Sequence, residues 1–273
     1  LEFRRVLFRS FATAFDLHSL EFAINTLKVD ILKIPSGEVT NPLLLYEAGK
    51  TNLPVILSTG MSNLKEISLA LKIIIAGQHN YPFHKFLSSK YHKLDDKMLI
   101  KHATNEIIVL HCTSNYPAKI EDLNLNAMHT LRSVFGFKVG YSDHSQEVET
   151  GAIAVGAGAY LIEKHFTLDK KLNGPDHRAS LNPRELKKYI ELIRMSDLML
   201  GKFDKKATKA EIDVARIARR KIVATRKVKQ GETLTSENIA LKRSNTGADP
   251  LDIWKILGSK SKKNYRVNDG IEL

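Results

Sequence analysis

Short β-rich runs alternate with amphipathic helical patterns along most of this chain, which restricts it to an α/β architecture of parallel strands joined by helices. The pattern predicts strands near Phe11–Ala14, Ile31–Pro35, Val55–Ser58, Ile107–Cys112, Lys138–Tyr141 and Tyr160–Glu163. It predicts helices near Ser19–Leu27, Asn41–Thr51, Asn63–Ala76, Leu125–Phe135, Val148–Gly156 and Pro183–Leu200. Asn63 with Glu66 three residues on reads as a capped helix start, and Asn182-Pro183 puts proline at a first helical position. Six such βα units are two short of a closed eight-stranded barrel, so the expected fold is a barrel truncated at its N-terminal side. Residues 1–10 fit poorly with the rest of the chain: Arg4, Arg5 and Arg9 surround Val6-Leu7-Phe8 without the long apolar core and small-residue cleavage site of a signal segment. They read as non-native or misassigned sequence, and the chain as a fragment lacking its native start.

Lys plus Arg exceed Asp plus Glu by 42 to 30, a net charge of +12, which favours an anionic partner or substrate. Charge alone does not choose between nucleic acid and a phosphorylated metabolite. The aromatic residues, 7% of the chain, are scattered and not interleaved with Lys and Arg, which argues against a nucleic-acid surface. No stretch approaches the roughly 18 apolar residues of a membrane span. The single cysteine, Cys112, excludes an intramolecular disulfide and fits a reducing cytoplasm; within Ile107–Cys112 it reads as buried packing.

Residues 77–105, dotted with Tyr81, Phe83, Phe86 and Tyr91, join a helix to the next strand. Such a connection lies on the stability face of a barrel, so the insert is expected to be structural or oligomeric, not catalytic. Residues 201–217 read as a linker ending in a short helix. From 218 to 273 the pattern changes to short strands, Lys221–Arg226, Val228–Glu232 and Ile239–Lys242. At about 55 residues this tail is expected to have little core of its own and to lean on the barrel or on a second subunit.

Polar clusters stand where the strands end, the rim at which barrel enzymes do their chemistry. His144 and His165, set side by side at two such ends, would form a divalent-metal site open to substrate, with a third polar cluster at Gly174-Pro175-Asp176-His177-Arg178. Lys164, between Glu163 and His165, should turn away from their face because side chains alternate along a strand.

Taken in order, Lys33-Ile34-Pro35-Ser36-Gly37-Glu38, Leu57-Ser58-Thr59-Gly60-Met61, His111-Cys112-Thr113-Ser114-Asn115-Tyr116-Pro117, Tyr141-Ser142-Asp143-His144, Glu163-Lys164-His165-Phe166-Thr167 and Gly174-Pro175-Asp176-His177 resemble the sialic acid synthase family, the N-acetylneuraminate and legionaminate synthases. The likeness spans residues 11–273, and the tail, from Ala218–Ala224 through Leu241–Gly247, resembles that family's C-terminal antifreeze-like (SAF) domain, a β-clip. The resemblance implies a TIM-type (β/α)8 barrel that condenses phosphoenolpyruvate with an N-acyl-mannosamine-type sugar, adds water and releases phosphate to make a nonulosonic acid.

It further implies Lys33, Ser36, Ser58, Thr59, Ser114 and Ser142 around phosphoenolpyruvate; an ammonium and hydroxyls suit a phosphate and a carboxylate. Glu38 and Asp176 become the catalytic carboxylates, with Tyr116 also on the sugar and His144 and His165 on a divalent ion, Mn²⁺ or Mg²⁺, whose preference for oxygen donors means that water and substrate oxygens should complete a weak, exchangeable site. Arg243 matches an arginine that enters the partner subunit's site in a domain-swapped homodimer. Two features depart from the pattern. The family's first two strands, with a glutamate and a lysine, have no counterpart, and Asn245-Thr246 replaces the commoner proline-glycine. Two alternatives therefore stand beside the synthase: an inactive fragment of one, and a basic anion-binding or nucleic-acid-binding protein.

Overall fold

A computed structural model describes residues 11–273, in two compact units that divide between Gly201 and Lys202. The reading of residues 1–10 lies outside the described residues. The first unit is built on a parallel sheet of β1 (Leu32–Ile34), β2 (Val55–Ser58), β3 (Ile107–Cys112), β4 (Lys138–Asp143) and β5 (Ile162–Lys164), in that order. Helix α1 (Leu17–Asn25) precedes β1, and α2 (Pro42–Lys50), α3 (Leu64–Gln78) with α4 (Leu99–His102), α5 (Ala127–Phe135) and α6 (Thr150–Gly156) fill the crossovers. Helix α7 (Pro183–Leu200) follows β5. The order never reverses, and right-handed crossovers then put every helix on one face of the sheet. Doubly wound sheets reverse; barrels do not, so the unit is part of a (β/α) barrel.

Strands β2 and β3 and helix α7 have the predicted bounds, and the segment predicted as a strand at Phe11–Ala14 is not one. It makes an isolated parallel bridge, Thr13 to Lys33, because Ala14 alone packs inward while Phe11 and Phe15 stay exposed. Both predicted caps form as full capping boxes, Asn63 with Glu66 on α3 and Asn182 with Glu185 on α7.

The register fixes what each face holds. Leu32, Val55, Ile107 and Val139 face the helices and join the main core, with Ile34, Leu57, Val109 and Tyr141 one step along. On the opposite face Ile56, Ile108 and Leu110 form a separate apolar cluster, flanked by Ile31 and Leu161. The insert is packing, as predicted: Phe86, Tyr91 and Leu99 are buried, the rings of Tyr46 and Phe83 lie 5.1 Å apart, and Tyr46 Oη donates to the Tyr81 carbonyl at 2.7 Å.

In the second unit α8 (Lys209–Ala218) leads to an antiparallel pair, β6 (Arg220–Ala224) with β7 (Ile239–Arg243), followed by α9 (Ile253–Ile256). The predicted strand Val228–Glu232 contributes a single bridge, Val228 to Tyr265. The expectation of little core is corrected: Ile222, Val228, Leu234, Ile239, Ile256, Tyr265 and Ile271 are buried together. The bridges Val223 to Gly270 and Thr233 to Lys260 fold the chain back over the ribbon and close that core.

Candidate active site

Two residues further along each strand than the apolar floor of the inner face, the sheet turns polar. The alternation that buries Ile56 and Ile108 brings Lys33, Ser58, Cys112, Ser142 and Glu163, one from each strand, to the C-terminal ends on the same face. With Ser36, Tyr116, His144, His165 and Asp176 from the following loops they line a cavity of about 330 Å³.

Lys33 and Glu163 come from opposite edges of the sheet and meet across it, Nζ to Oε2 at 2.9 Å and to Oε1 at 3.2 Å. Ser142 Oγ, opposite Glu163 in register, donates to Oε1 at 2.6 Å. Burial opposes the charged form of Glu163, but the Lys33 ammonium and the Ser142 hydrogen bond outweigh it and hold the carboxyl below its usual range. Ser58 Oγ is buried beside them and finds no partner among the described residues, a costly state for a hydroxyl unless a ligand group meets it. Burial pushes the Cys112 thiol up, so it stays protonated despite Lys33 and Ser36 nearby.

Ser36 Oγ and Ser114 Oγ stand 3.2 Å apart. Gly60 makes that approach possible: its φ is +45°, and a Cβ there would lie 2.4 Å from Ser114 Oγ and 2.5 Å from Ser36 Cβ.

The imidazole of His144 is buried, and its Nδ1 lies 2.7 Å from the Thr113 carbonyl. A carbonyl only accepts, so Nδ1 carries the proton and Nε2 keeps its lone pair, 3.2 Å from a Ser142 hydroxyl already donated to Glu163. Burial lowers the His144 pKa and favours this neutral form. The His165 ring is 5.3 Å from that of His144, centre to centre, at 80°. With nitrogens about 2.1 Å from an ion and ring centres about 1.2 Å beyond, imidazoles bound at about 90–110° have centres about 4.6–5.4 Å apart. The spacing of the two ring centres falls within that range. Among the described residues no group of three His, Cys, Asp or Glu side chains is placed to hold a metal ion.

Tyr116 packs its ring 4.2 Å from His144 and 5.5 Å from His165, and Asp176 Oδ2 lies 3.8 Å from His165 Nδ1. These four converge on the cavity.

Four sequence candidates stand apart from the cavity lining; one is Ser114, which adjoins it through Ser36. The Thr59 hydroxyl donates to the Leu110 carbonyl at 2.9 Å and ties β2 to β3. Glu38 accepts from Asn41 Nδ2 at 2.7 Å, in the turn between β1 and α2. Arg243 is exposed at the end of β7 in the second unit, in register with Arg220. Conversely, Glu163 received no role from the sequence, although it stands one step before an outward lysine and so on the inner face.

The NeuB family profile matches residues 4–205 of this chain. The chain is 40% identical over 253 residues to the N,N'-diacetyllegionaminic acid synthase of Legionella pneumophila, covering 93% of this chain and 65% of that one. It is 38% identical over 258 residues to the N,N'-diacetyllegionaminic acid synthase of Campylobacter jejuni, covering 94% and 70%. Among solved structures, the N-acetylneuraminic acid synthetase of Leptospira borgpetersenii matches with a TM-score of 0.62 at 33% identity, over 76% of this chain and 65% of that one. The chain thus spans about two thirds of the length of these relatives. With a family match over most of its length and a parallel βα barrel carrying a polar rim, this chain belongs to the NeuB family.

Proposed function

We propose that this protein condenses phosphoenolpyruvate with an N-acyl-mannosamine-type sugar in its open-chain form. C3 of phosphoenolpyruvate bonds to the sugar aldehyde carbon, water adds at C2, and inorganic phosphate leaves, giving a nonulosonic acid of the sialic or legionaminic kind. The observation that carries this reading is the Lys33, Ser58, Ser142 and Glu163 layer beside two imidazoles in one cavity. Glu163 holds the Lys33 ammonium ready, and an incoming phosphate or carboxylate exchanges for that partner. The unpaired Ser58 hydroxyl, with Ser36, Ser114 and Ser142, supplies hydrogen bonds to the same anion.

Thr59 supports that loop through its backbone tie. His144 and His165 would hold a divalent ion, Mn²⁺ or Mg²⁺, whose charge polarises the aldehyde oxygen. Asp176 and Tyr116 border the imidazoles on the sugar side, and Glu38 lies two residues beyond Ser36, in the same helical turn. We assign residues 11–200 to the barrel, 201–217 to a linker and 218–273 to an SAF domain. In a domain-swapped homodimer that domain would bring Arg243 to the partner's sugar acyl group. A cytoplasmic enzyme fits a single buried thiol and the lack, among the described residues, of any helix long and apolar enough to cross a membrane.

Phosphate release measured with phosphoenolpyruvate and a panel of N-acyl amino sugars should require both substrates. Release from phosphoenolpyruvate alone, or none with any sugar, would sink the reading. Chelation should stop release and Mn²⁺ restore it, and His165→Ala should bind Mn²⁺ at least about tenfold more weakly with an unchanged circular dichroism spectrum. Unaltered turnover and Mn²⁺ binding in that variant would remove His165 from the metal.

A further inference from the structure

Behind the two imidazoles lies a charged cluster that the condensation chemistry does not use. The register that sets Ser142 opposite Glu163 also sets Asp143 opposite Lys164. Since side chains alternate, the first pair enters the cavity and the second points the other way, toward α7. There Lys164 Nζ lies 3.1 Å from Asp143 Oδ2, the two side chains being 4% and 0% exposed. Asp143 Oδ1 accepts from the Ser145 backbone N–H at 2.9 Å and the Ser145 hydroxyl at 2.7 Å. Tyr189 Oη, on α7, donates to Oδ2 at 2.9 Å. The Lys164 ammonium also donates to the Ser145 carbonyl and sits 5.6 Å from the centre of the Tyr189 ring. Asp143 and Ser145 flank His144, and Lys164 immediately precedes His165.

A buried ion pair is a poor source of stability, since apolar or neutral replacements of similar volume are often no less stable. What this one supplies is geometry. It clamps the backbone on both sides of His144 to the residue before His165, and ties both to a single tyrosine on α7.

We propose that the Asp143–Lys164 pair, anchored by Tyr189, is a positioning device that sets the spacing and angle of the His144 and His165 rings. The pair touches no substrate and acts only through the histidines, so the proposal rests on their reading as metal ligands. It predicts that the cluster governs metal affinity and leaves the phosphoenolpyruvate subsite alone.

The deciding variant is Asp143→Asn combined with Lys164→Met. It removes both charges at nearly constant volume, and the asparagine can still accept from Ser145 and donate to Tyr189. Tyr189→Phe is a milder second variant that keeps the pair and removes its anchor. Mn²⁺ titrations of the whole protein, followed by electron paramagnetic resonance of the free ion, should show affinity about 10–100-fold lower in the double variant and a smaller loss in Tyr189→Phe. KM for phosphoenolpyruvate should stay at the wild-type value while kcat at limiting Mn²⁺ falls. Wild-type Mn²⁺ affinity in the folded double variant would overturn the proposal. If that variant does not fold, unchanged affinity in Tyr189→Phe overturns it instead. A wild-type protein that binds no Mn²⁺ refutes the ligand reading, and the positioning role with it; equal binding in wild type and variants refutes the positioning role alone.

Discussion

Lys33→Met should lower phosphate release by about 10²–10³-fold, the usual cost of removing one preorganised donor from a charged reaction centre. The methionine fills the space of the lysine stem on β1, so the loss reports charge and not packing. It also leaves Glu163 buried without its cation. In the wild type the depressed carboxyl of Glu163 adds stability that is present above the unfolded-state carboxylate range and is lost as pH falls through the lower folded-state value. Without Lys33, burial becomes the dominant influence and the sign reverses: the ionised Glu163 destabilises the variant at neutral pH, and stability recovers as acid protonates it. Thermal unfolding of both proteins between pH 4 and 8 should therefore show the gap between them closing toward low pH. A constant gap, or wild-type turnover, would remove the Lys33–Glu163 pair from the anion site.

The second large effect is expected at Gly60. An alanine there must adopt a left-handed φ of +45° and place its Cβ 2.4 Å from Ser114 Oγ and 2.5 Å from Ser36 Cβ. Strain of this kind costs about 1–3 kcal/mol. The functional cost should exceed the stability cost, because relief comes from spreading the loops after β1, β2 and β3, which carry Ser36, Gly60 and Ser114. A displacement near 1 Å at a reaction centre costs about 10²-fold in rate. Gly60→Ala should thus fold, with a lowered midpoint, and lose roughly a hundredfold in kcat/KM for phosphoenolpyruvate, chiefly through a raised KM. Full activity would show that Ser36 and Ser114 need not stand as close as 3.2 Å.

Where signals are local, the sequence is legible to the residue. Helix α7 begins at Pro183 because Asn182 and Glu185 satisfy each other's backbone donors, and β3 ends at Cys112 because an apolar run gives way to Thr113-Ser114-Asn115. The outward turn of Lys164 comes from the two-residue period alone. Register across strands is a different matter. That Glu163 faces Lys33 from the far edge of the sheet, 130 residues away, depends on how five strands align, and no pattern within one strand encodes it. The same blindness affects Thr59, whose hydroxyl is taken by a carbonyl 51 residues on. Glu38 differs, because its competitor Asn41 lies three residues away, within reach of a local reading. The strand predicted at Phe11–Ala14 fails for lack of inward apolar side chains, which the alternating Phe11-Ala12-Thr13-Ala14 pattern conceals.

The sole cysteine sits at 2% exposure on the inner face of β3, with its thiol held protonated. Thiol reagents attack the thiolate, so Cys112 should be nearly inert to maleimides in the folded protein. Any cysteine introduced on the surface then becomes the one fast-reacting position in the chain. A spin label or fluorophore could be attached to the loop carrying Asp176, or to α8, without first deleting a native thiol from the cavity wall. Conversely, rapid labelling of the unaltered chain would report the loss of its fold, which makes Cys112 a built-in gauge of integrity for any variant of this protein.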